Sequence, residues 1–250
     1  MSNSLVNRSG KNQTFRGTYL MDSTIILPTY NGGEYIINQL KSIEATSPRN
    51  TLVKILDDYS KDNTLDLLEN YISGTSLNIQ FDRNNSNIGP NQSFIKLLKS
   101  VRTENVIFCD QDDIWVNDRV SATNLSQSDV LISKFSPFED FFSKDILPVL
   151  PSKVPNMINT FFKPSFPGCC LSGKTKIFLG VLKNDDLRTI YDWFLTTELV
   201  LRGNSFSLTE DRMFYYRRHP KTVTKMGFMP DGILNSLLRR GTLISEILSK

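Results

Sequence analysis

The sequence predicts an α/β fold on a mainly parallel, doubly wound sheet, and three observations predict it. Short apolar runs recur along the first half of the chain. Each is followed by a segment with apolar residues at helical spacing, and strands that alternate with helices in this way form parallel sheets. Two of the runs end in paired or clustered carboxylates, and in such sheets ligands bind beyond the carboxyl ends of the strands.

The elements follow in order. Residues 24–27 (TIIL) read as a buried strand stopped by Pro28, with Asn31-Gly32-Gly33 as the turn after it. Ile36, Ile37, Leu40 and Ile43 place a helix over 34–45. LVKIL at 52–56 is the second strand and ends in Asp57 and Asp58. Ser60 or Asp62 can cap the next helix, whose apolar face is Leu65, Leu68, Tyr71 and Ile72 and which Gly74 stops. Residues 77–81 form the third strand and 84–90 a polar loop, and Pro90 suits the first turn of a helix reaching about 102. NVIFC at 105–109 is the fourth strand and runs into Asp110.

The second half is less regular. Residues 133–167 are rich in Phe and Pro without a clear period, so loops and short helices are expected there. Residues 190–201 form a helix stopped by Gly203, and 204–216 hold one or two short strands. Residues 230–250 form an amphipathic helix, or a helix pair interrupted near Gly241. The organisation expected is a loose tail over 1–22, one domain over 23–229 in two halves (23–120 and 121–229), and the C-terminal helix over 230–250.

Composition narrows the function. A chain of 250 residues, 39% hydrophobic and 22% charged, can bury a sizeable core. The net charge of +3 gives no argument for a nucleic-acid partner and would not repel an anionic substrate. Three cysteines (Cys109, Cys169, Cys170) make a poor disulfide framework, and with one histidine (His219) and no C-x-x-C pair they exclude a cysteine–histidine metal cluster. This usage fits a reducing compartment, and a cytoplasmic location is expected. Residues 1–22 lack the apolar stretch of a signal peptide, and no run of about 18 apolar residues offers a membrane span.

The chemistry concentrates in a few places. Asp110-Gln111-Asp112-Asp113 sets three carboxylates within four residues, and their repulsion calls for a neutralising partner. A hard divalent cation, Mg2+ or Mn2+, is the simplest one; a solvated acidic turn is the alternative. Asp57 and Asp58 end a strand where a carboxylate can accept from a base N–H or a ribose hydroxyl, or can simply shape the turn. Asp192 lies among Tyr191, Trp193, Phe194 and Leu195. There it is either a desolvated base or an exposed acid favoured by the helix dipole. Trp115 and Trp193 either stack on sugar rings or pack. GCCLSGKT at 168–175 matches the phosphate-loop pattern, with Lys174 reaching a terminal phosphate, but Pro164 and Pro167 argue against the buried strand that must precede such a loop.

TIILPTYNGGEY, ILDDYSKDNT, NSNIGPNQSF and VIFCDQDDIW resemble successive motifs of the family 2 glycosyltransferases. FPGCCLS at 166–172, YDWFL at 191–195 and YRRH at 216–219 resemble later segments of a bacterial rhamnosyltransferase-like branch. The resemblance implies a GT-A type nucleotide-diphospho-sugar transferase fold with an acceptor-side helical region. It implies inverting transfer from a nucleoside-diphosphate sugar to a hydroxyl of a glycan or lipid-linked saccharide, as in lipopolysaccharide or capsule synthesis. It places Pro28, Thr29, Tyr30, Asp57, Asp58, Asn87 and Gly89 on the donor side. Asp110 and Asp112 become the D-x-D pair for Mn2+ or Mg2+, and Arg217 and His219 lie near the diphosphate. Asp192 becomes the catalytic base, with Trp115, Gly168, Cys169 and Trp193 toward the acceptor. Tyr59 stands where Gly is common, Tyr191 where His is usual, and Thr222 where Asn is common. Two other readings stay open: a phosphate-loop NTPase or kinase, and a non-catalytic nucleotide-sugar or carbohydrate-binding module. The C-terminal helix, with Arg239, Arg240 and Lys250 among its apolar positions, either docks on an anionic membrane or covers the domain.

Overall fold

The computed structural model describes residues 22–139, 148–162, 166–182, 189–218 and 233–248. The expected tail therefore lies outside the described residues except for Asp22, as do His219, Thr222 and Lys250.

The first half alternates as its apolar pattern requires. β1 (Ser23–Thr29), α1 (Ile36–Thr46), β2 (Leu52–Asp57), α2 (Thr64–Ile72), β3 (Asn78–Arg83), α3 (Gly89–Ser100) and β4 (Asn105–Phe108) follow in sequence. β5 (Ile114–Trp115), α4 (Arg119–Leu125), β6 (Val130–Phe138) and α5 (Met157–Phe162) come next. A 3-10 turn (Gly168–Cys170) leads into β7 (Leu171–Lys174), α6 (Thr175–Val181), α7 (Tyr191–Leu201), β8 (Phe206–Arg217) and α8 (Ile233–Leu248).

The eight strands form one sheet in the order β3-β2-β1-β4-β7-β6-β8-β5. β3, β2, β1 and β4 are parallel. β7 then runs antiparallel between β4 and β6, and β8 pairs parallel with β6 and antiparallel with β5. The sheet is thus mixed: β1 to β4 are parallel throughout, and the second half combines the parallel β6–β8 pair with antiparallel neighbours. Its central strands are hidden on both faces. Ile25, Ile26, Val106, Ile107 and Phe108 have no exposed surface, and the helices lay Leu40, Ile43, Leu68, Leu98, Phe178 and Phe194 against them. Burial on that scale is the main stabilising term of the fold.

Four local expectations are corrected. Pro28 does not stop β1, which continues to Thr29. Its pairing with β4 ends at Ile26, so Pro28 sits where one edge of the strand is already open and its missing N–H leaves little unmade. Ser60 does not cap α2, because Asp62 Oδ1 accepts from Thr64 N–H (3.1 Å) while Ser60 Oγ accepts from Asn31 N–H (2.9 Å). The Phe- and Pro-rich stretch contains a nine-residue strand, β6, nearly every residue of which is buried. A strand covered on both faces shows no alternation, which hides its period. Finally, α8 runs unbroken through Gly241, while residues 206–217 form a single strand, one of the two outcomes expected there.

Candidate active site

The carboxyl ends of β1, β2 and β4 meet in one region, and the turns after them hold one another there. Gln111 clasps the end of β1. Its Oε1 accepts from Thr29 Oγ1–H (2.6 Å) and Tyr30 N–H (3.0 Å), and its Nε2 donates to the Tyr30 carbonyl (3.3 Å). The backbone of Gly32 passes so close that a β-carbon there would collide with the Gln111 amide. Gly32 N–H donates to Thr64 Oγ1 (2.8 Å) and Gly33 N–H to Asp62 (3.1 Å), which ties the β1 turn to the start of α2. Pro28 is half-buried, Thr29 is buried, and Tyr30 is 44% exposed beside them.

Asp57 and Asp58 are both buried, for different ends. Asp57 Oδ2 accepts from Ser60 N–H (2.9 Å) and pairs with Arg83 (3.2 Å), while its Oδ1 meets no hydrogen-bond donor among the described residues. Asp58 is turned toward the loop before α3. It accepts from Asn84 Nδ2 (2.8 Å), Ile88 N–H (2.9 Å) and Gly89 N–H (2.8 Å). Gly89 takes φ +85°, a conformation that favours glycine, and Asn87 is exposed on the same loop. Tyr59 has φ +68°, which accounts for Gly being common at this position; its ring carries the Lys61 ammonium 3.4 Å from its centre.

The acidic string after β4 is crowded. Burial, then the neighbouring Asp112, pushes the Asp110 carboxyl up to about 7, and Asp192 adds to it. Asp113 is 2% exposed and held well above the usual carboxylate range by burial and by Asp112 and Asp110. It is pinned from β8, where Arg217 N–H donates to its Oδ1 (3.1 Å) and Arg217 Nε donates to the Asp112 carbonyl (2.8 Å). The Arg217 guanidinium lies 4.6 Å from the Phe138 ring centre and 5.2 Å from that of Tyr35. Candidate ligand atoms of Asp110, Asp113 and Cys169 lie within 4.8 Å of one another, a set that shares only Asp110 with the expected pair. Burial raises the Cys169 thiol well above its ordinary value, so it stays protonated, and a neutral thiol is a poor ligand for a hard cation. The carboxylates are the right chemistry for Mg2+ or Mn2+: half-buried Asp112 with Asp110, backed by Asp113.

Asp192 stands at the first turn of α7. Its Oδ2 accepts from Gly168 N–H (3.0 Å) and its Oδ1 from Trp193 N–H (2.7 Å). Desolvation nevertheless pushes it up to about 6, as suits a proton acceptor working near neutrality. A β-carbon on Gly168 would strike the Tyr191 hydroxyl, so the 3-10 turn can approach Asp192 only with glycine there. The Tyr191 ring stacks on Phe94 (4.3 Å) and Phe108 (5.9 Å).

Two acceptor-side expectations are corrected. Trp115 is 2% exposed and its backbone N–H donates to Ser42 Oγ (2.9 Å), with the Arg119 guanidinium 4.6 Å from its ring centre. Trp193 is 7% exposed and its Nε1 donates to the Thr160 carbonyl (2.7 Å). Both rings are part of the packed interior and present no face for a sugar. Cys169 is likewise buried, and its carbonyl accepts from Arg119 (2.7 Å). The phosphate-loop reading also fails. Its residues form the 3-10 turn, then β7 laddered between β4 and β6, and Lys174 lies 3.6 Å from Asp129. Gln111 is the site residue the sequence reading passed over. The signal was a neutral amide, able to both donate and accept, inside an otherwise acidic string.

Parallel strands ending in carboxylates, an acidic cluster after the fourth of them, and a desolvated aspartate delivered by a helix from the second half define a GT-A type sugar-transferase fold. Solved structures bear this out. Residues 1–349 of Staphylococcus aureus TarS, crystallised in complex with UDP, superpose with a TM-score of 0.66 at 20% identity, covering 91% of this chain and 66% of that one. The mannosyltransferase PcManGT of Pyrobaculum calidifontis, in complex with GDP-Man and Mn2+, gives 0.57 at 18% identity over 83% of this chain and 58% of that one.

Sequence comparison adds the family. Residues 24–123 match the model of glycosyl transferase family 2. The dTDP-rhamnosyl transferase RfbG of Shigella flexneri is 28% identical over 77% of this chain and 71% of its own length. TarS, a poly(ribitol-phosphate) beta-N-acetylglucosaminyltransferase, is 28% identical over 79% of this chain but only 35% of its own length. Residues 24–123 thus match glycosyl transferase family 2, and the relatives that extend over most of the chain are glycosyltransferases by name.

Proposed function

We propose that the chain transfers a sugar, with inversion, from a nucleoside-diphosphate donor to a hydroxyl of a bacterial surface glycan or its lipid-linked precursor. The observation that carries this reading is the meeting of Asp192 with the acidic string: the base from the second half lies close enough to Asp110 to raise its pKa. RfbG and TarS, by their names, act on a dTDP-linked sugar and on poly(ribitol-phosphate), which supports the substrate class.

In this mechanism Asp192 takes the proton of the acceptor hydroxyl. The freed oxygen attacks the anomeric carbon, the bond from that carbon to the phosphate oxygen breaks, and the nucleoside diphosphate leaves from the opposite face. Asp110 and Asp112 would hold a divalent cation, which supplies positive charge to the departing diphosphate. Arg217 braces their loop and sets a guanidinium beside it. Asp57, with one carboxylate oxygen unmet, and exposed Tyr30 are placed for the nucleoside. Exposed Leu238 and Leu248, with Arg239 and Arg240 on the same helix, support peripheral contact with an anionic membrane. No helix among the described residues is long and apolar enough to cross one.

The test is nucleoside-diphosphate release from a donor panel that includes dTDP-rhamnose and UDP-N-acetylglucosamine, with and without Mn2+ and chelator. One donor should respond, the chelator should abolish release, and Asp192→Asn should lower transfer about 10²–10⁴-fold while nucleotide binding persists. Full transfer by that variant would end the base assignment.

A further inference from the structure

The turn that delivers Asp192 is held from two places that belong neither to it nor to the acidic cluster. Ile190, which precedes the first residue of α7, offers no side-chain cap, so the first N–H groups of the helix need partners from elsewhere. Asn91 of α3 supplies one: its Oδ1 accepts from Tyr191 N–H (3.1 Å), and its Nδ2 donates to the Thr189 carbonyl (3.0 Å). One amide thereby spans residues 189–191 on both its donor and its acceptor side. From the far end of the chain, Glu246 of α8 accepts from Thr189 N–H through both carboxylate oxygens (3.2 Å each). Thr189 is 6% exposed, and its backbone N–H and carbonyl are both taken by these two side chains.

Asn91 lies two residues past Gly89, whose N–H is fixed by the buried carboxylate of Asp58. Hydrogen bonds joined by the backbone of residues 89–91 therefore run from the end of β2 through the start of α3 to the residue before the base. Helices α3 and α7 are otherwise joined by the Phe94–Tyr191 stack. We propose that Asn91 and Glu246 are positioning residues that hold residues 189–191 as a two-sided clamp and so fix where Asp192 meets the acceptor hydroxyl. The assignment rests on the reading of Asp192 as the base. A displacement of about 1 Å at a reacting group can lower a rate about 10²-fold, and a clamp acting on the base should affect turnover far more than donor binding.

Two measurements test it. Hydrogen–deuterium exchange on the chain without donor reads the clamp directly: Asn91→Ala and Glu246→Ala should each speed exchange at the Thr189 and Tyr191 amides at least tenfold, with the melting temperature within a few degrees of the parent. Steady-state kinetics on the donor that the panel turns over read its consequence. Asn91→Ala should lower kcat about 10–100-fold with the donor KM within twofold. Asn91→Asp, which keeps the acceptor for Tyr191 but loses the donor to Thr189, should fall between, and Glu246→Gln should restore what Glu246→Ala loses. Unchanged exchange at those amides, or a kcat within twofold of the parent in a folded Asn91→Ala variant, overturns the proposal. So does a Glu246→Gln defect equal to that of Glu246→Ala. Asp192→Asn keeps the two ideas apart: if it retains full transfer the base reading fails whatever the clamp does, and if it is inactive the kinetic arm judges the clamp alone.

Discussion

Asp58 is 3% exposed, and three donors from the loop before α3 converge on its two oxygens. A carboxylate so placed does for residues 84–89 what a cap does for a helix: it gives backbone N–H groups a partner at a partly buried turn. Asn84 is itself gripped by Lys96, whose ammonium donates to its side-chain oxygen (2.7 Å). Removing the carboxylate leaves the buried Asn84 donor and the two part-buried N–H groups without it, which costs about 1–3 kcal/mol for a single group and more where several share one acceptor. Asp58→Ala should therefore lower unfolding free energy by about 3 kcal/mol in a urea titration. A loss under 0.5 kcal/mol would show that the loop does not depend on it. Tyr59 next to it follows the opposite logic, since its left-handed backbone costs roughly 1–2 kcal/mol that a glycine would not incur. The chain keeps the ring there, under the Lys61 and Arg83 cations.

At the scale of elements, β7 shows how a motif can match in letters and fail in structure. The eight residues at 168–175 satisfy the phosphate-loop spacing, yet phosphate cradling requires a run of N–H groups pointing at open space. Here the strand's backbone is committed to β4 and β6, and the lysine pairs with Asp129 across the surface. An ion pair of that exposure contributes about 0–1 kcal/mol. Lys174→Ala should leave sugar transfer within twofold of the parent and stability within about 1 kcal/mol; loss of nucleotide binding in this variant would revive the phosphate loop. The same element explains what the sequence made legible. β1 to β4 and their helices could be read because each strand is a short apolar run between polar turns, and each helix shows one apolar face. β6 and β7 could not: β6 is buried on both faces and β7 has four residues, so neither shows a period. Within the site, the carboxylates announced themselves by crowding. The inward turn of Trp115 and Trp193 did not, because a tryptophan beside an acidic string or beside Asp192 reads alike whether its ring faces the cleft or the core.

The molecule as a whole spends stability to hold its site. Its one sheet joins both halves through the β4–β7 pairing, and the buried carboxyls collect where the halves meet. Burial raises Asp192 to about 6, and burial with Asp112 raises Asp110 to about 7. Both groups hold a proton in the folded chain at pH values where the unfolded chain has released it. The folded state therefore binds more protons, and stability is fully present below the ordinary carboxylate range and lost as pH rises through 6 and 7. Carboxylates shifted the other way do not mask this. Glu44, drawn down to about 2 by the Tyr71 hydroxyl and the Ser76 N–H, and Asp129, lowered by Ser205, give their full stabilisation above the ordinary range. Between pH 5 and 8 the raised groups thus dominate, and the metal-free chain should lose about 5 °C of melting temperature, measured by calorimetry. Asp192→Asn should remove part of that slope without reversing it. A cation held by Asp110 and Asp112, as proposed, would stabilise the folded chain increasingly as its concentration exceeds its dissociation constant and would favour the ionised carboxylates, so millimolar Mn2+ should recover the loss at pH 8 and do little at pH 5. A melting temperature that is flat across this range without metal, or that Mn2+ raises equally at both pH values, would mean that the acidic string is not under the charge strain that the site's chemistry depends on.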